Sequence, residues 1–391
     1  MDPPENRKTP MEATSSNSST PEAANTESPS SPPTLVGIKE ATALLQGLFR
    51  SFGGHVAMRL WNGTTLQLGA GAREQPEPPF TLVLRSPDAI SSIVAGRDRL
   101  RLVQAFLRGD IDIEGDFFAA LHLKDHLDTI RLSWSDRLGA LLPALRLQVI
   151  SRRAALASPT QSRRSVVSVK GHSRHESRAA VAFHYDVSND FYALWLDPSM
   201  VYSCAYFESQ AETLAQAQHA KLDHICRKLQ LNPSDQLLDI GCGWGALMIH
   251  AARHYGVHAH GVTLSQQQLE LATLRIAQAG LQDRVSVALQ DYRDLPGEAV
   301  YDKVASVGMF EHVGLKNLPI YFSTVQRLLK PAGLFLNHGI THYVEGWDKK
   351  TLSTEFINRY IFPAGELDTV GNIQRRMEHA GFEIADVEAL R

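Results

Sequence analysis

The chain has 391 residues, enough for two or three domains at about 150 residues each, and an ordinary globular mixture of 43% hydrophobic and 21% charged residues. Its 39 Lys and Arg stand against 42 Asp and Glu, so a nucleic-acid binder driven by overall basic charge is excluded, and any electrostatic targeting must be local. Three cysteines, Cys204, Cys226 and Cys242, show neither CxxC nor zinc-ligand spacing, which excludes a disulfide framework and leaves no metal site expected.

Residues 1–34 are rich in Ser, Thr, Pro, Asn and Glu and predict a disordered tail. That tail has no apolar h-region of a secretory signal. A small α+β domain is expected over 35–130. Helical spacing marks 41–52. Residues 55–61 and 64–68 flank Asn62-Gly63 and predict a hairpin, because Asn-Gly suits a tight turn with positive φ. A strand follows over 80–84, helices over 88–95 and 100–107, an alternating strand over 109–116, and a helix over 117–130.

Residues 131–178 carry ten basic residues against two acids, with leucines in the first half. Such a linker could meet anionic headgroups, or could be a solvated connector. The longest apolar candidate, 138–150, is interrupted by Arg146 and falls short of the ~18 residues a spanning helix needs. The chain is expected to be cytoplasmic, at most peripheral to a membrane.

From 179 to 391 strands and helices alternate. Strands are expected over 236–240, 259–262, 285–289, 301–307 and 334–337, with helices over 246–255 and 265–279. This alternation predicts an α/β Rossmann-like domain with a doubly wound, mostly parallel sheet.

The first of these strands runs into Asp239-Ile240-Gly241-Cys242-Gly243-Trp244-Gly245 and then a helix. The spacing is GxGxG, not the GxGxxG that cradles a dinucleotide pyrophosphate. It suits a ligand without phosphate that presents an amino-acid carboxylate and amine, as S-adenosylmethionine does. The second strand ends Gly261-Val262-Thr263-Leu264-Ser265 without the usual ribose-binding acid. Thr263 and Gln268 must then supply polar contacts, and the Tyr292 ring could pack on adenine.

These segments resemble the cyclopropane-fatty-acyl-phospholipid synthases and their mycolic-acid relatives. The resemblance rests on Phe183-His184-Tyr185-Asp186, Leu196-Asp197-Pro198, Tyr202-Ser203-Cys204-Ala205-Tyr206-Phe207, the glycine loop, residues 261–265, residues 290–294, Met309-Phe310-Glu311-His312 and Tyr360-Ile361-Phe362-Pro363. The small N-terminal domain, 109–117 above all, is similar to the family's lipid-binding domain. The resemblance implies methyl transfer from S-adenosylmethionine to a cis double bond of a phospholipid acyl chain, followed by proton loss and ring closure. It implies that Tyr202, Ser203, Leu237, Asp239, Gly241, Cys242, Gly243, Trp244, Gly245, Thr263, Leu264, Gln268, Tyr292 and Arg293 line the cofactor. It also implies that Cys204, Glu311, His338 and Ile340 hold a bicarbonate ion as base, with His338 protonatable. Taken singly, Cys204 is more often a small buried hydrophobe, His338 more often a satisfied polar residue and Glu311 more often an exposed charge. His184 and Tyr185 could cover the cofactor or merely pack. A phospholipid surface is the expected partner, a homodimer is implied, and no nucleic acid is expected. Family members continue past the region matching Gly381-Phe382-Glu383, adding a Tyr and a Cys near the site. On that comparison cofactor binding is expected to survive and cyclopropanation to be weak or lost. Two alternatives remain open: methyl transfer to an amine or other alkene, and lipid binding without turnover.

Overall fold

The computed structural model describes residues 37–73, 78–94, 99–123, 143, 146, 147, 149, 173–343, 352–363 and 365–390. The expected tail at 1–34, and the expected basic linker except for Pro143, Arg146, Leu147, Val149 and residues from 173 onward, lie outside them. The chain divides into two compact units, Met1–Pro159 and Thr160–Arg391.

In the first unit, α1 (Ile38–Leu48) turns Ala41, Leu44, Leu45 and Leu48 to one face, the spacing that an amphipathic helix requires. Strands β1 (Val56–Arg59) and β2 (Thr65–Leu68) form the expected Asn62-Gly63 hairpin. Strand β3 (Phe80–Leu84) follows, then α2 (Pro87–Val94), α3 (Arg99–Leu107), β4 (Ile111–Gly115) and α4 (Phe117–His122). The sheet order is β2-β1-β3-β4, with only the β1–β3 pair parallel. Asp116 caps α4 by accepting from the Phe118 and Ala119 amides. Leu45, Phe52, Met58 and Leu84 are fully enclosed in its core.

The second unit opens with α5 (Arg174–Tyr185), α6 (Asn189–Ala193) and α7 (Leu214–Lys228). Ser173 with Glu176 and Thr213 with Gln216 form capping boxes at the starts of α5 and α7. Strand β5 (Gln236–Ile240), helix α8 (Ala246–Tyr255), strand β6 (His258–Thr263), helix α9 (Gln266–Gln278) and strands β7 (Val285–Leu289) and β8 (Tyr301–Val307) lie within a residue or two of expectation. Helix α10 (Leu318–Leu328), strand β9 (Leu329–His338), α11 (Leu352–Phe356) and α12 (Val370–His379) complete the unit. The final strand starts five residues earlier than its apolar core suggested, with an irregular register opposite Tyr301 and Lys303.

The sheet order is β7-β6-β5-β8-β9 and every pairing is parallel. Leu237 on one face of β5 packs among Leu222, Ile225, Leu247 and Met248 of α7 and α8. Leu238 and Ile240 on the other face pack among Leu318, Phe322 and Val325 of α10. The Rossmann-like α/β fold with helices on both faces is therefore observed. Chain order reverses between β5 and β8, which opens a crevice at their carboxyl ends. Among the described residues no helix is long and apolar enough to cross a membrane.

Candidate functional site

The crevice at the carboxyl ends of β5, β6 and β8 is a cleft of about 1220 Å³, part of it open to solvent. Its floor is the glycine loop. Gly241, Gly243 and Gly245 have φ of +80°, +54° and +83°, a region side chains disfavour. At Gly243 no atom lies within 4 Å of where a Cβ would stand, so the backbone there is open to a ligand.

Twelve of the fourteen expected cofactor residues line this cleft: Tyr202, Ser203, Asp239, Gly241, Cys242, Gly243, Trp244, Thr263, Leu264, Gln268, Tyr292 and Arg293. Leu237 does not. It sits two residues back along β5, roughly 6–7 Å from Asp239, inside the core. Gly245 does not either. It caps α8, and a Cβ there would face Ala272 of α9.

Burial shapes the polar groups of the cleft. Asp239 is 2% exposed, and desolvation pushes its carboxyl up to about 7. The Thr263 hydroxyl donates to Gln268 Oε1 at 2.6 Å, which fixes the amide and leaves its NH₂ end for another partner. Arg293 is committed to Asp291 through Nε at 2.8 Å and Nη2 at 2.6 Å, so it rigidifies the turn after β7. The Tyr292 ring meets Tyr321 edge-on at 5.4 Å and still lines the cleft.

An aromatic cover stands over the glycine loop. Trp244 Nε1 donates to Asn189 Oδ1 at 2.7 Å, and the Trp244 carbonyl accepts from Arg275 at 2.8 Å. Tyr192 packs 5.0 Å from Trp244 and donates its hydroxyl to the His184 carbonyl at 2.6 Å. The His184 ring stacks on Tyr202 at 5.6 Å and touches Phe362 at 4.4 Å. Tyr185 lines the cleft. Ser265 Oγ donates to Asp186, so a carboxylate absent from the end of β6 itself is delivered there by the residue capping α5.

None of Cys204, Glu311, His338 and Ile340 is part of the cleft lining. Three of them gather beside it. The Ile340 amide donates to Glu311 Oε1 at 2.7 Å, while Glu311 Oε2 is buried without a partner. The His338 carbonyl accepts from Gly308, a cleft residue, at 2.9 Å, and His338 Nδ1 is buried without a partner. Burial raises the Glu311 carboxyl above its ordinary range. Burial and then the Lys221 charge pull His338 down to about 4. The expected protonatable histidine is thus a neutral imidazole near neutral pH. Cys204 is exposed.

Sequence reasoning missed three residues here. Lys221 is fully buried, lines the cleft, and donates to Ser203 Oγ at 2.6 Å and to the Ser203 carbonyl at 3.3 Å. Desolvation lowers its ammonium to about 8, opposed by Cys204 and Asp197. It is the cation that His338 is not. Its only signal was a Lys on the apolar face of an unpredicted helix. His312 lines the cleft wall and is held near 4 by burial and His184. Gly339 is the third. A Cβ there would stand 2.2 Å from Phe310 Cε1 and 2.8 Å from Glu311 Oε1. Only a bare backbone lets Ile340 reach Glu311.

The profile of the mycolic acid cyclopropane synthetase family matches residues 172–391. A probable fatty acid methyltransferase of Pseudomonas putida is 40% identical over 335 residues, covering 85% of this chain and 76% of that protein. The cyclopropane-fatty-acyl-phospholipid synthase of Escherichia coli K12 is 48% identical over 196 residues, covering 50% of this chain and 48% of that protein. The solved structure of the cyclopropane synthase MmaA2 from Mycobacterium tuberculosis superposes with a TM-score of 0.51 at 34% identity, over 55% of this chain and 77% of that one.

Two outcomes follow from this geometry. With its folded carboxyl at about 7, Asp239 must lose a proton to meet a ligand ammonium. Affinity for S-adenosylmethionine is therefore expected to rise only about twofold from pH 7 to 8 and to weaken below pH 7, approaching about tenfold per pH unit between pH 6 and 5. Calorimetry across pH 5–8 measures this, and a flat profile would contradict it. Gly339→Ala is expected to destabilise the fold by about 1–3 kcal/mol through overpacking on Phe310. Denaturant unfolding reads the loss; an unchanged midpoint would show that the loop yields freely.

Proposed function

The chain belongs to the mycolic acid cyclopropane synthetase family, S-adenosylmethionine-dependent methyltransferases, and on that premise we propose that it methylates the cis double bond of an unsaturated phospholipid acyl chain and closes a cyclopropane ring. The observation that carries this reading is the Glu311 cluster: a buried carboxylate with one oxygen fixed by Ile340 and the other unpartnered, beside a cleft that fits the cofactor. An amine acceptor carries its own lone pair and needs no such group.

S-adenosylmethionine supplies an electrophilic methyl on a sulfonium. The open backbone at Gly243 and the buried Asp239 fit its amino-acid end, and the cleft face of Tyr292 fits a planar ring. In the reaction one alkene carbon forms a bond to the methyl carbon as the carbon–sulfur bond breaks. Loss of a methyl proton then leaves the electron pair that closes the ring onto the neighbouring cationic carbon. An alkene is a weak nucleophile and its cation is easily trapped by water. The aromatic cover of His184, Tyr185, Tyr192 and Tyr202 therefore acts by excluding water and holding the acyl chain in line.

The base in this reading is bicarbonate. Glu311 Oε2 and His338 Nδ1, both buried and unpartnered, fit an ion that offers a hydroxyl donor and acceptor oxygens. Glu311 would accept its hydroxyl proton and set its orientation. Ile340 acts through Glu311, since its amide is already given to Oε1. Cys204, being exposed, is the weakest fit of the four.

The small unit supports a lipid-surface substrate. Phe106, Leu107, Phe117, Phe118 and Leu121 are all exposed, Phe118 at 75%. Phe106 and Phe117 lie 5.9 Å apart and Phe117 and Phe118 6.2 Å apart, a contiguous apolar patch suited to the acyl boundary.

The test is incubation with labelled S-adenosylmethionine and unsaturated phospholipid vesicles, then mass analysis of the released fatty acids. A gain of one CH₂ with cyclopropane proton resonances is expected. The same mass without those resonances would mean that the proton leaves an adjacent carbon instead, and no gain would overturn the reading. Glu311→Gln is expected to cut turnover by about 10²–10⁴-fold with cofactor affinity nearly unchanged; equal loss of both would contradict the role given to Glu311. Phe118→Asp with Leu121→Asp should lower vesicle co-sedimentation by about tenfold or more. Unchanged partitioning would remove this patch from the lipid contact.

A further inference from the structure

Helices α7 and α8 pack side by side, and each presents two metal-ligating side chains one turn apart. His219 and Asp223 stand on α7, His250 and His254 on α8. A spacing of four places each pair on one helix face. The three imidazoles converge. Ring centroids are 4.8 Å apart for His219 and His250, 4.6 Å for His250 and His254, and 5.8 Å for His219 and His254. One ring nitrogen from each lies within 4.8 Å of the other two.

The centre of the group is built rather than incidental. His250 is 6% exposed, and its Nε2 is buried with no hydrogen-bond partner. An unsatisfied buried nitrogen costs free energy that a ligand bond would recover. Asp223 Oδ1 lies 3.7 Å from that Nε2, too long for a hydrogen bond. It is close to the ~3.4 Å ligand-to-ligand spacing of a tetrahedron with bonds of about 2.1 Å. Asp223 is itself oriented, accepting from the Tyr255 hydroxyl at 2.6 Å and pairing with Arg227 at 3.0 Å.

We propose that His219, His250 and His254, with the adjoining carboxylate of Asp223, form a binding site for a borderline divalent transition metal ion, with Zn²⁺ as its reference occupant. Three imidazoles and one carboxylate suit Zn²⁺, Co²⁺ or Ni²⁺, and disfavour both the all-oxygen cations and soft Cu⁺. His250 is fixed by packing. His219 and His254 are exposed, so they close on the ion by side-chain rotation alone. The site is separate from the methyl-transfer cleft, whose lining includes none of the four. It clamps α7, which carries Lys221, to α8, which begins at the glycine loop, and so stiffens the frame of the cofactor site.

The test uses the full chain without a polyhistidine tag, stripped with chelator and titrated with ZnCl₂ against a competing fluorescent chelator. One ion per chain is expected, with thermal unfolding shifted upward, and Co²⁺ should give the visible absorption of a tetrahedral site. His219→Gln with His254→Gln, at exposed positions, is expected to weaken Zn²⁺ by about 100-fold or more and to abolish both the shift and the Co²⁺ spectrum. Asp223→Asn should weaken it by about 10–100-fold. Metal-free binding of S-adenosylmethionine by the double variant should match the parent, which shows that the variant is folded. No saturable Zn²⁺ binding by the parent, or equal binding by the folded double variant, would overturn the proposal.

Discussion

Strand β5 is buried on both faces, and the cofactor site hangs from its carboxyl end. A parallel strand in that position must be apolar throughout its core-facing length, which Leu237, Leu238 and Ile240 satisfy. Asp239 interrupts the run and stays buried at 2% exposure. Such a carboxylate costs stability unless something cationic arrives to meet it. The glycine loop makes arrival possible by keeping side chains out of the space above Gly243. The desolvated acid and the bare backbone are thus one device: the first creates a demand for a cation and the second gives it room.

The cover over that device is assembled from a part of the chain that precedes the sheet. Residues 184–202 contribute His184, Tyr185, Tyr192, Trp195 and Tyr202, and their rings pack on one another and on Trp244 of the glycine loop. A hydrogen bond from Trp244 to Asn189 ties the cover to the loop, and one from Tyr192 to the His184 carbonyl holds the cover itself together. Tyr185, Tyr192 and Tyr202 have their phenols raised by burial, so they stay neutral and act as apolar walls with a polar tip. An aromatic wall of this kind suits an acceptor that is itself apolar.

Sequence patterning read the sheet well for a physical reason. Buried parallel strands are short apolar runs, and β5, β7 and β8 match their expected spans residue for residue. Helix α7 escapes such patterning because its buried face is diluted by Gln218 and Lys221, which are buried only through tertiary contacts, whereas α5 and α12 bury too few residues to show an apolar stripe. The residues that line the cleft were legible because they sit next to strand ends. Leu237 failed because a motif run was extended one pleat too far into the core. The His219, His250 and His254 group was invisible for another reason: two helices about thirty residues apart in sequence must pack before it exists.

Lys221 connects the two halves of the site. It reaches Ser203 from α7 and its charge acts on His338. A buried ammonium acting on His338 places one positive charge in the neighbourhood that the proposed anion would occupy. That is the field an anion would need, and a protonated histidine is not required to provide it. Lys221 also lines the cleft that the cofactor is proposed to fill, so its charge works against a cationic sulfonium there. In the proposed reaction the base and the methyl donor would therefore be electrostatically coupled, because the anion that takes the proton would also offset the Lys221 charge that opposes the sulfonium.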